Sequence, residues 1–307
     1  MKKNAAAGWA VPTNKIQRWA HPALRTYKYF CLGCLLFAAA AGHAEARLNV
    51  FVSILPQAYF AERVGGENIT VSVLVGPGQS PHAFEPSPKQ IMALSQADVF
   101  FKIGLPFEDR LLGKIGSILK NAAVVDTRQG IALRPSEDDH AHGGEHAGAD
   151  PHIWLAPKLI RQQAQTICEA LCLRDAAHCA VYRRNLAAFQ NELDSLDAEL
   201  CSRLALFAGR EIFVFHPALG YFADAYKLKQ VPIEMAGKEP GSKSFAALVE
   251  RAGAAGVKTI FAERQFSPKS AQAVAAQIGA RVEMIDPLAR DCFQNLRDIA
   301  EKIEKMN

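Results

Sequence analysis

Beyond its first 46 residues, this chain has three histidines that each stand beside proline. They are His82 in "SPHAFEPSP" (80–88), His152 in "DPHIWLAP" (150–157) and His216 in "FHPALGYF" (215–222). A lone loop histidine is ordinarily a solvated side chain. Proline changes that reading. It fixes the local backbone direction, so a ligating ring is aimed before an ion arrives and less ordering entropy is lost on binding. A carboxylate with the same neighbour is Asp286, in "IDPLA" (285–289). Three neutral imidazoles and one carboxylate are a donor set that tetrahedral Zn²⁺ accepts. Close before His152 runs "SEDDHAHGGEHAGAD" (136–150), with His140, His142 and His146 among acids and glycines. It has no apolar period and cannot bury a core face. It reads as a mobile loop and a metal-catching tract.

Donors so far apart in sequence need a scaffold. Residues 48–54, 69–75 and 98–103 are short β-branched and aromatic runs, as are 211–215, 258–262 and 281–285. All read as strands. Helical patterns lie between them. "SPKQIMALSQA" opens with Ser87 as N-cap and Pro88 in the first turn, and Ser267-Pro268 repeats that start. Strands alternating with helices imply mainly parallel sheets, whose ligands sit outside the carboxyl ends of the strands. His82 follows one such end by a short loop, while His216 and Asp286 adjoin two others. Between the halves, Leu186, Phe189, Leu193, Leu196, Leu200 and Leu204 step by three and four with no Gly or Pro among them. One helix over 177–208 would be a strut of about 45 Å; two helices broken near Asp194–Ser195 are the alternative. The expected architecture is α/β: two lobes with mainly parallel sheets, 47–176 and 209–307, joined by the long rigid helix 177–208.

The first 46 residues are of another kind. They carry six basic residues and one acid, then the apolar run "YFCLGCLLFAAAAG", too short to span a bilayer comfortably. They read as a signal peptide cleaved near Ala44 or Ala46. Without them, 29 basic residues stand against 30 acidic ones. The basic excess belongs to the export signal and points to no nucleic-acid partner. Five cysteines remain after cleavage: Cys168, Cys172, Cys179, Cys201 and Cys292. No CxxC occurs among them. Export to an oxidising compartment favours a disulfide, and Cys172 and Cys179 flank the turn "LRDAAH" (173–178). The alternative is that all five are small buried apolar residues.

From Leu48 to its end the chain resembles the periplasmic metal-binding proteins of ABC importers for zinc and manganese. The resemblance is carried by "PHAFEPSP", "DPHIWLAP", the long helix, "FHPALGYFADAY", "FAERQFSP" and "IDPLA". It implies that His82 and His152 are ligands. Manganese binders of the family place glutamate at the third position and zinc binders histidine, so His216 implies the zinc branch. The histidine-rich loop before His152 implies the same. Asp286 matches the fourth position, which some zinc members fill with water; Glu263 is a further candidate. The implied role is capture of Zn²⁺ between two lobes and delivery to a membrane permease by a monomeric, non-enzymatic protein. Arg264 departs from the family, which has proline there, and five cysteines are unusual. Imidazole preference agrees with zinc over manganese but admits copper and nickel. Two other functions fit the same donors. A secreted zinc hydrolase would need a general base such as Glu85 or Glu263, and HExxH is absent. A passive zinc buffer or adhesin would share the site without transport.

Overall fold

A computed structural model describes residues 47–306 except 118, 120, 137–147, 235–241 and 267–268. They fall within one compact unit, Arg47–Asn307. The expected signal peptide and His140, His142 and His146 lie outside the described residues.

Two four-stranded sheets, all parallel, share one topology. The first runs in the order β2-β1-β3-β4, built from Leu48–Val52 (β1), Ile69–Val73 (β2), Val99–Lys102 (β3) and Ala123–Asp126 (β4). The second runs β6-β5-β7-β8, from Glu211–Val214 (β5), Lys229–Pro232 (β6), Thr259–Glu263 (β7) and Arg281–Ile285 (β8). In each, the chain leaves the first strand to one side and returns on the other. That reversal opens a crevice at the carboxyl ends of β1 and β3, and of β5 and β7. β4 and β6 were not among the expected strands. Both are four residues long, and "KQVP" carries no apolar run.

Helices complete each layer: Leu55–Gly65 (α1), Pro88–Leu94 (α2) and Pro106–Ile115 (α3) with the first sheet, then Pro157–Arg174 (α4). The linking helix is Cys179–Leu204 (α5), followed by a 3-10 turn, Ala205–Phe207. It is unbroken at Asp194–Ser195 and about 39 Å long for its 26 residues. The apolar stripe read from sequence, Leu186, Phe189, Leu193, Leu196, Leu200 and Leu204, is buried, and Tyr182 extends it by one turn. The helices of the second half are Gly220–Ala225 (α6), Ser242–Ala254 (α7), Lys269–Ile278 (α8) and Cys292–Glu304 (α9). α9 returns to α5, where Phe293 stacks on Phe189 at 5.7 Å and Arg203 pairs with Glu304 at 2.9 Å. A disulfide joins Cys172 to Cys179 across the α4–α5 turn. Cys168 and Cys292 are buried thiols and Cys201 is an exposed one. Among the described residues, no helix is long and apolar enough to cross a membrane.

Candidate metal centre

The loop that carries His82 is anchored at both ends. Ser87 caps α2 by accepting from Gln90 N at 3.3 Å, and Gln90 Oε1 accepts from Ser87 N at 3.0 Å. This reciprocal cap satisfies two donors at the helix start. Gln90 Nε2 then donates to Leu74 O at 2.8 Å, tying α2 back to the end of β2. Between these anchors Pro81–Ala83 forms a single 3-10 turn that presents His82. Behind it, Phe84 meets Phe107 edge to face at 5.0 Å. The start of α3 is itself fixed by buried Glu108, which accepts from Gly104 N at 2.6 Å, Leu105 N at 3.0 Å and the Ser53 hydroxyl.

His152 is set by its own neighbours. Asp150 Oδ1 accepts from His152 N at 2.9 Å and meets the ring Nδ1 at 2.8 Å. Pro151 lies between and narrows the turn that makes this possible. Two residues on, Trp154 Nε1 donates to Pro287 O at 2.8 Å, fastening the segment to the second lobe beside Asp286. Tyr221 of α6 adds a second fastening, donating to Asp150 O at 2.9 Å and accepting from Arg134 N at 3.0 Å. The described residues that flank the histidine-rich segment are paired here. Pro135 and Ala149 form an antiparallel bridge, and Ser136 N donates to Gly148 O at 2.8 Å.

His216 lies just past the end of β5, at the crevice of the second sheet. Its backbone N donates to Glu263 Oε2 at 3.2 Å, from the end of β7. Its Nδ1 meets Glu234 Oε1 in a short contact. Glu234 reaches it through strand register: Val214 pairs with Pro232, and Glu234 N donates to Phe215 O at 3.0 Å.

The three rings converge. His216 Nε2 lies 3.3 Å from His82 Nε2 and 3.3 Å from His152 Nε2. Among the described residues, these three form the cluster of His, Cys, Asp and Glu whose donor atoms all lie within 4.8 Å of one another. His152 and His216 are buried and His82 is exposed on its outer side. Burial of its inner side and repulsion from the other two rings push the His82 imidazole down to about 3, so all its lone-pair capacity is present at neutral pH. The cavity they line, with Leu105, Trp154, Ala218, Phe266, Pro287 and Leu288, has a volume of about 20 Å³. That is room for one water or one ion.

The two carboxylates differ. Asp286 directly follows β8 but stands outside the three-ring cluster; its Oδ1 accepts from Gln265 Nε2 at 2.6 Å and Leu288 N at 3.1 Å. Glu263 lines the cavity and is only 1% exposed, and its Oε1 has no hydrogen-bond partner among the described residues. Burial pushes its carboxyl up to about 7. His178 pairs with Asp175 at 2.7 Å in the α4–α5 turn.

The family description "Zinc-uptake complex component A periplasmic" matches residues 50–306. A putative metal-binding protein of Treponema pallidum is 31% identical over 249 residues, 78% of this chain and 79% of its own length. The high-affinity zinc uptake system protein ZnuA of Bacillus subtilis is 28% identical over 279 residues, 83% of this chain and 86% of its own. The crystal structure of a ZnuA superposes with a TM-score of 0.79 at 42% identity, covering 85% of this chain and 99% of that one. A ZnuA deletion mutant with zinc bound gives the same TM-score and identity.

Proposed function

Because the chain belongs to the family of periplasmic zinc-uptake components, we propose that it captures Zn²⁺ between its two lobes and delivers it to the membrane permease of an ABC importer. The observation that carries this reading is the convergence of three Nε2 atoms, from three distant stretches, in a cavity the size of one ion. Imidazole donors favour zinc over manganese, which prefers oxygen. Membership of a family of uptake components favours carriage over a hydrolase. We assign His82, His152 and His216 as ligands. The fourth position is open to Asp286, Glu263 or water, and Asp286 would have to leave Gln265 to take it. His140, His142 and His146 are assigned to weaker capture. The bridge at Pro135 and Ala149 holds the roots of that segment together, so its zinc would be released close to His152 at high local concentration. The compartment is outside the cytoplasm and the working unit a monomer.

Three measurements test the reading. Purified protein lacking residues 1–46 should bind one zinc tightly, and deletion of the gene should slow growth only in zinc-poor medium. Tight zinc binding with no growth defect would make the protein a buffer. Deleting 137–147 should remove a weaker class of zinc and spare the tight one.

A further inference from the structure

The three proposed ligands are not held alike. His152 and His216 each turn Nδ1 toward a buried carboxylate, Asp150 (5% exposed) and Glu234 (4% exposed). Neither acid was singled out by motif. Neutral imidazole carries one ring proton. When Nδ1–H donates to a carboxylate, Nε2 keeps the free lone pair, and it is the Nε2 atoms that converge. His82 has no such carboxylate among the described residues; its Nε2 faces His216 and its ring lies against Phe266. Glu234 also brings a negative charge behind a cavity that would receive a dication, whereas Asp150 already faces Arg134 at 3.9 Å. A carboxylate is costly to bury unless such a charge or a donor offsets it.

Resting on the reading of His152 and His216 as zinc ligands, we infer that Glu234, with Asp150 as its counterpart, is a positioning residue that sets zinc affinity. It locks the His216 tautomer and supplies negative charge behind the ring. Glu234 acts through His216 and touches no ion. The two acids arrive by different routes. Asp150 is two residues from its histidine. Glu234 is eighteen residues from His216 and meets it because β6 pairs with β5 in a fixed register.

The bland alternative is that an acid–histidine pair merely braces the fold, as Asp175 and His178 do in the α4–α5 turn at 2.7 Å. That pair is the control. Zinc affinity is measured by competition with a chromophoric chelator for wild type, His216→Ala, Glu234→Gln, Glu234→Ala and Asp175→Asn. Thermal melts of the metal-free proteins and ¹⁵N spectra of the His216 ring accompany it. Gln keeps an acceptor for Nδ1–H and loses the charge; Ala loses both. Loss of an outer partner of a metal-ligating histidine costs about 10–100-fold in affinity. The expected order is therefore wild type, then Glu234→Gln, then Glu234→Ala, spanning that range. Metal-free Tm should not fall in step, and Asp175→Asn should bind as wild type. The His216 ring should be in the Nδ1–H form in wild type and mixed in Glu234→Ala. Undiminished affinity in both Glu234 variants overturns the inference, and so does a loss that only tracks Tm or recurs in Asp175→Asn. Tight zinc binding by wild type that survives in His216→Ala sinks the ligand reading instead, and is seen before any Glu234 variant is compared.

Discussion

At the scale of single residues, the donors divide by how committed each already is. The three Nε2 atoms face one another, whereas Asp286 is engaged by Gln265 and Leu288. Replacing His82, His152 or His216 by Ala is therefore expected to cost roughly 100-fold or more in zinc affinity, above the 10–100-fold typical of an outer partner. Asp286→Asn should cost clearly less; calorimetry on the four variants decides, and equal losses would make Asp286 an obligate ligand. Glu263 gives a second residue-scale prediction, in metal-free protein. Its folded carboxyl titrates near 7 and its unfolded one near 4.5, because burial disfavours the charge. The folded state thus holds the extra proton between those values, and stability falls as pH rises through that window. Glu263→Gln should raise the metal-free Tm at pH 8 and change it little at pH 4, with an upper bound of about 3 kcal/mol. An equal gain at both pH values would mean that packing, not charge, is responsible. Which residues sequence could reveal follows from distance. The histidines showed through their prolines. Asp150 was in plain view in "DPH" but its role needs the turn's geometry. Glu263 was a ligand candidate only through the family resemblance, and Glu234 was missed: both reach His216 through strand pairing, and no local pattern encodes a register with a partner far along the chain.

At the scale of elements, the lobes meet at the start of α6. Gly220 permits this contact. A Cβ there would lie 1.7 Å from Arg134 Nη1 and 2.9 Å from Asp150 Oδ2. Arg134 can swing aside, but Asp150 holds both the backbone and the ring of His152. Gly220→Ala should therefore weaken zinc binding with little loss of helix stability, since Ala is the better helix former. Gly253→Ala, with nothing within 4 Å, is the matched control and should bind as wild type. The Cys172–Cys179 disulfide closes a short loop across the α4–α5 turn. Loop-closure entropy gives it about 2–3 kcal/mol. Reduction should lower Tm and leave zinc affinity unchanged, because the bridge braces a turn that carries no ligand. Long periodic elements such as α5 were legible, and so were cap signals such as Ser87-Pro88. α3, α4, α6, α9, β4 and β6 were passed over. Four-residue strands gain their identity from neighbours already in place, and α4 is recognisable chiefly by the face it buries on α5.

At the scale of the whole molecule, the question is whether zinc closes two lobes or enters a site already formed. Domains move relative to one another by default unless their interface is large and apolar. Here one continuous core runs from Val50 and Phe60 in the first lobe through Leu186, Leu196 and Leu204 to Leu296 and Ile303 in the last helix. The second sheet has only a smaller core of its own, around Phe213, Val231 and Ile260. α9 is fastened to α5 at two further points, with Arg203 on Glu304 and Arg297 on Glu199 at 2.8 Å. Arg290, just before it, reaches Glu62 of α1. A hinge would have to break this core as well as the pairs. Movement is cheaper at His82, which is exposed, stands on a single 3-10 turn and has no carboxylate behind its ring among the described residues. Zinc should therefore enter by displacement of residues 80–87, with the lobes fixed. Small-angle X-ray scattering of metal-free and zinc-loaded protein should superimpose. Hydrogen exchange should slow on zinc binding at 80–87 and around His152 and His216, and stay unchanged along α5 and α9. A smaller radius of gyration in the loaded state, with protection spreading into α5, would mean that the strut bends and that the lobes do close.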